Sequence, residues 1–129
     1  MIQVNLFIGS RYQVDRKRMR QVATRVLTEH HLDHVQVDIS VVGSRKIKAL
    51  NESRLKHEGT TDVLSFPQHE KQQLDDFPMP PNMPPHLGDI VISFPEAIKT
   101  AKQYGKRVDD QVCFYIEHGL MHLLGYHHE

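Results

Sequence analysis

Apolar and polar positions alternate over the first residues of the chain, with Ile2, Val4, Leu6 and Ile8 on one side. This period of two predicts a strand that Gly9-Ser10 ends. From Asp15 to His31 the period becomes helical. Met19, Val22 and Val26 form the apolar stripe, Ala23 and Leu27 lie at its margin, and Asp15 is placed to cap the amino end. Val35, Val37, Ile39 and Val41 predict a second strand over Val35 to Val42, after Gly43 and a capping Ser44 a helix is expected from about Arg45 to Lys56, and Ile47 and Leu50 face inward there, flanked by Leu55 or Arg54.

Thr60-Thr61-Asp62 reads as a turn, and Val63 to Phe66 as a short strand stopped by Pro67. Leu87 to Ser93 is an almost unbroken apolar run, as expected of a strand covered on both faces. Pro95 suits the first turn of a helix that reaches Tyr104 and ends at Gly105, and Asp109 is the expected cap of a last helix. The order βαβα, two strands, two helices predicts an α+β domain of α/β-like character. It is one domain over residues 1–129, with a small, mixed, mostly parallel four-stranded sheet packed with about four helices.

Residues 67–86 interrupt this order with a proline-rich loop, which holds six of the seven prolines and the acids Glu70, Asp75 and Asp76. A loop of that length in a compact domain reads either as the rim of a substrate groove or as a variable insertion. A chain of 129 residues can bury about two-thirds of its unfolded surface, enough for one core. The single cysteine, Cys113, excludes an internal disulfide and reads as a small core residue. With no signal-like segment and no long apolar run, the expectation is an intracellular, cytoplasmic protein that does not engage a membrane. The net charge of zero leaves nucleic-acid binding to local charge. Arg11, Arg16, Lys17, Arg18, Arg20 and Arg25 crowd the first helix and its approach, as a solvated face or as a footprint for a phosphate backbone.

The chemistry concentrates at the carboxyl end, in Glu117-His118-Gly119-Leu120-Met121-His122-Leu123-Leu124-Gly125-Tyr126-His127-His128. His118 and His122 share a helix face one turn apart, and Gly125 offers a left-handed stop that can return His128 to the pair. Ten histidines make chance pairs common, but the third histidine and the intervening glycine narrow the pattern to a ligand set. Catalytic zinc commonly takes three protein ligands and keeps a position for water, although imidazoles suit nickel, copper and iron as well. The helix looks apolar nearly all round (Val112, Cys113, Phe114, Ile116, Leu120, Leu123, Leu124), and buried imidazoles need partners. Metzincin proteases share the spacing, but carry their glutamate base directly after the first histidine, where this chain has Gly119. The nearest acid, Glu117, points about 100° away around the helix. The pattern therefore predicts metal chemistry on a substrate other than a peptide.

Four segments in order, Leu50-Asn51, Thr61 to Pro67, Leu87 to Ser93 and His118 to His128, resemble the YbeY family of metal-dependent ribosomal-RNA maturation endoribonucleases. The resemblance implies one zinc ion on His118, His122 and His128, and a single-stranded RNA substrate. It further implies action in 16S rRNA 3′-end maturation and ribosome quality control, with ribosomal RNA and the small ribosomal subunit as partners and no DNA. His127 stands where the family usually has aspartate, so His127 and His128 both remain candidates for the third ligand. The family's aromatic-arginine pair after Leu-Asn falls on Arg54 and Leu55, leaving Arg54 as the catalytic candidate and Lys56 as its substitute. Family members commonly continue with a further helix beyond the last histidine. Two other functions fit the same residues: a metallohydrolase of amide or peptide bonds, and a ribosome-binding assembly factor with a structural metal.

Overall fold

A computed structural model of the chain describes residues 1–54, 61–68 and 84–125. The elements are β1 (Ile2–Ile8), α1 (Arg16–Glu29), β2 (Val35–Val42), α2 (Ser44–Arg54), β3 (Val63–Pro67), β4 (His86–Ser93), α3 (Phe94–Gln103) and α4 (Val108–Leu123). One mixed sheet has the order β1-β2-β4-β3, with β1, β2 and β4 parallel and β3 antiparallel at the edge. Among the described residues the expected α+β architecture, with four strands and four helices, is the one observed.

The period of two in the strands divides the sheet into unlike faces. On the first face Val37, Ile39 and Val41 of β2 and Ile90 and Ile92 of β4 meet Met19, Ala23, Val26 and Leu27 of α1 and Val112, Ile116, Leu120 and Leu123 of α4 in the main core. On the second, Val42, Leu64 and Val91 pack under Ile47 of α2 in a smaller core, with Leu50 and Phe66 at its border. Beyond it that face carries the polar row Asn5, Asp38, Asp89 in register, with Phe7 exposed beside Ser40.

Element ends depart from expectation in ways that have local causes. Asp15 caps α1 as expected, its carboxylate accepting from the backbone of Arg18. Ser44 lies inside α2 rather than capping it, because the Gly43 carbonyl already accepts from Ile47. Leu55, Lys56 and Thr60 fall outside the described residues. Pro67 belongs to β3 instead of stopping it, a position open to proline because β3 is the edge strand. His86 begins β4, so both ends of the expected loop are strand, while 69–83 lie outside the described residues. Asp109 is not the cap of α4. Its carboxylate accepts from the backbone of Asp15, and Asp110 instead reaches back to the backbone of Arg107. Nor is α4 buried all round: Phe114 is 51% exposed, with the Lys106 ammonium 5.4 Å from its ring centre.

Candidate metal centre

The helix α4 lies against β3 and β4, and Gly119 sets how closely. A Cβ at this position would meet the Ile90 side chain at 3.0–3.1 Å, so the bare Cα is what lets the helix reach the sheet. The Ser65 hydroxyl donates to the Gly119 carbonyl at 3.4 Å. Position 119, where a metzincin-type glutamate would stand, thus faces packed sheet and has no room for an acid. Glu117 is turned to the other side, with its carboxylate 3.5 Å from Arg25 of α1.

His118 and His122 do converge. Their Nε2 atoms lie 3.2 Å apart and their rings are 4.8 Å apart, with both side chains half-buried. Either one ring donates to the other, or both lone pairs face a common ion. Two imidazole ligands of tetrahedral zinc, each about 2.0–2.1 Å from the metal, stand roughly 3.3–3.4 Å apart. The donor pair therefore fits such an ion. Gly125 follows at φ +95°, the left-handed stop the spacing predicts, and its N–H bonds the His122 carbonyl. His127 and His128 lie outside the described residues, as does the side chain of Arg54, the last residue of α2.

The structure also assembles a group that sequence reading missed. Ligand atoms of Asp38, His86 and Asp89 all lie within 4.8 Å of one another, a set that can hold a metal ion. Asp38 and Asp89 are register partners on β2 and β4, and His86 pairs with Gln36. In a regular strand His86 and Asp89, three apart, would point to opposite faces. A register shift between Gln36 and Val37 inserts one extra residue in β4 and brings both to the second face. Gly88 makes the irregularity possible at φ +156°, where a Cβ would meet the Phe66 carbonyl oxygen at 2.5 Å. The signal in the chain was faint: single aspartates inside the apolar runs of β2 and β4.

Charge around α1 is partly spent within the fold. Arg18 holds Asp110 at 2.9 Å, and that hydrogen bond lowers the carboxyl below its usual range and raises the guanidinium. Burial pushes the Cys113 thiol up, against a smaller opposing pull from Arg18, in keeping with a core residue. Arg16, Lys17 and Arg20 stay exposed. Among the described residues no helix is long and apolar enough to cross a membrane.

A small mixed-sheet domain with converging imidazoles on its last helix is the class that fold and site define. A protein-family model described as Endoribonuclease YbeY matches residues 7–129, and the chain belongs to the YbeY family. Proteins named Endoribonuclease YbeY from Myxococcus xanthus and an Anaeromyxobacter species are each 39% identical to it, over 83% and 88% of this chain. The chain spans only 34% and 54% of the length of those two relatives. A third, from Dehalococcoides mccartyi strain CBDB1, is 33% identical over 99% of this chain and 82% of its own length. The solution structure of TM1509 from Thermotoga maritima superposes with a TM-score of 0.60 at 23% identity, covering all of this chain and 75% of that one, a likeness of fold.

Proposed function

We propose that the chain is a zinc-dependent endoribonuclease that cleaves single-stranded RNA, acting in the cytoplasm in 16S rRNA 3′-end maturation and ribosome quality control. The observation that carries the reading is the 3.2 Å approach of the His118 and His122 Nε2 atoms in a chain of this family. His118 and His122 would hold one ion, with His128 as the proposed third ligand. A divalent ion bound by neutral imidazoles keeps its full charge, acidifies water and polarises a phosphoryl oxygen.

The chain's own residues supply the rest. Gly119 and the sheet behind it close the position of a proteolytic base, which favours phosphodiester over peptide hydrolysis. Arg54, at the end of α2, is the proposed cation beside the scissile phosphate, where it would stabilise developing negative charge. Arg16, Lys17 and Arg20 on the outer side of α1 are placed to follow a phosphate backbone without reading bases. The ribosomal RNA of the small subunit is the proposed partner.

The test replaces His118 or His122 with alanine in the full chain and measures zinc content and cleavage of single-stranded rRNA fragments, duplex RNA and generic peptides. The expected result is loss of zinc and a fall in single-strand cleavage of about 100-fold or more. Retained zinc with full cleavage overturns the assignment. Peptide hydrolysis by the parent chain points to an amide hydrolase, and metal-independent binding to the small subunit without cleavage points to an assembly factor.

A further inference from the structure

We propose that Asp38, His86 and Asp89 form a second divalent-cation site, independent of the histidine pair and on the opposite face of the sheet. The two aspartates are direct neighbours on adjacent strands, and like charges so placed repel unless something positive lies between them. The Asn5 side-chain amide donates to Asp38 Oδ1 at 2.8 Å, leaving Oδ2 to face His86 Nε2 at 3.2 Å; Asp89 Oδ1 lies 3.7 Å from the same nitrogen.

The histidine is held for lone-pair donation. Its Nδ1 lies 3.0 Å from the Gln68 side-chain oxygen, which can only accept, so Nδ1 carries the proton. In the neutral ring Nε2 then presents a lone pair to two carboxylates. A protonated Nε2 would be another way to relieve that repulsion. Yet Nε2, with its atom buried and its side chain 17% exposed, has no hydrogen-bond partner among the described residues. The ring is close to both carboxylates without aiming an N–H at either. A cation among the three atoms resolves the arrangement, since ligands about 2.0–2.3 Å from one ion stand roughly 3–4.5 Å from one another.

Two carboxylates and one imidazole suit an ion of intermediate hardness such as Mn2+ better than an all-nitrogen set does. They also cancel the ion's double charge, so it would be a weak Lewis acid. Asp38 and Asp89 also line a cavity of about 150 Å³ walled by Phe7, Ser40, Phe66 and Val91, which leaves room for water or an anionic oxygen to complete the coordination sphere. The device that builds the site is the extra residue of β4 beside Gly88.

The test is a Mn2+ titration of the full chain after chelator treatment, followed by electron paramagnetic resonance. The His118→Ala/His122→Ala variant is expected to retain one bound Mn2+ per chain, and adding Asp38→Asn and Asp89→Asn to weaken it at least about tenfold. In the parent chain, substoichiometric Mn2+ is expected to broaden the His86 ring and Asn5 amide resonances first, a reading that needs no altered ligand and stands even where the aspartate variants do not fold. No Mn2+ on the histidine-pair variant, undiminished binding to the aspartate variant, or an unbroadened His86 each overturns the proposal. Failure of the nuclease reading shows separately, as zinc content that does not respond to loss of His118 and His122.

Discussion

The two faces of the sheet solve different electrostatic problems. On the helical face two half-buried imidazoles converge beside a core of aliphatic side chains. Neutral donors leave a bound ion its whole charge, which is the condition for polarising a substrate. On the other face two carboxylates crowd a single imidazole, within a polar row that α2 covers only at one end. Such a set neutralises what it binds and suits retention better than catalysis. The chain thus places a pair of neutral donors on the helical face and a charge-cancelling set on the other.

The largest disturbance strikes both faces together. Gly88 supports the irregularity beneath the aspartate cluster while a Cβ there would also meet Leu123 of α4 at 2.8 Å. Gly88→Ala forces a side chain onto a backbone oxygen at a positive φ, and a loss of about 2–4 kcal/mol in urea unfolding is expected. Equal stability of parent and variant means that the backbone at 88 is not held as described. A smaller effect, confined to the helical face, is expected of Gly119→Ala. Its Cβ presses on Ile90, at a cost of about 1–2 kcal/mol, which Ile90→Val partly restores. Absence of that rescue in a double-mutant cycle removes the close-packing account of Gly119.

Asn5→Ala confines its effect to the polar face. With Asp38 no longer oriented, Mn2+ affinity is expected to fall severalfold by calorimetry, whereas zinc content stays as in the parent. Zinc loss in this variant joins what the comparison separates. The smallest effect lies away from both clusters. Because Arg18 lowers the Asp110 carboxyl, the pair's contribution is present above the ordinary carboxyl range near ~4 and is lost as pH falls through the lowered folded value. The difference in urea midpoint between the parent and Asp110→Asn is therefore expected at pH 7 and to shrink in acid. A difference that grows in acid contradicts the pairing.

Local pattern was enough for most of the architecture. The period of two set β1 and β2 to the residue, and the Asp15 cap and the stripe from Met19 to Leu27 placed α1, because these depend on neighbours within a turn or a pleat. The histidine pair was legible for the same reason, since an i,i+4 spacing on a helix is itself a spatial statement. Ends failed where a partner distant in sequence decided. Asp109 was claimed by the backbone of Asp15, and Pro67 was admitted by an edge position that only strand order reveals. Phe114 reached solvent because α4 leans on α1, α3 and the sheet with its other sides.

The aspartate cluster belongs wholly to the second kind. Asp38 is 48 positions from His86, and each is unremarkable in its own strand. Strand order, register and one extra residue in β4 bring them within a metal's reach, and none of these is a property of a short stretch of chain. What the residues alone settled is which segments fold and where imidazoles can gather on one helix. The assembled sheet decided which charges must share a space, because pairing between strands is chosen by the whole core and not by the residues it brings together.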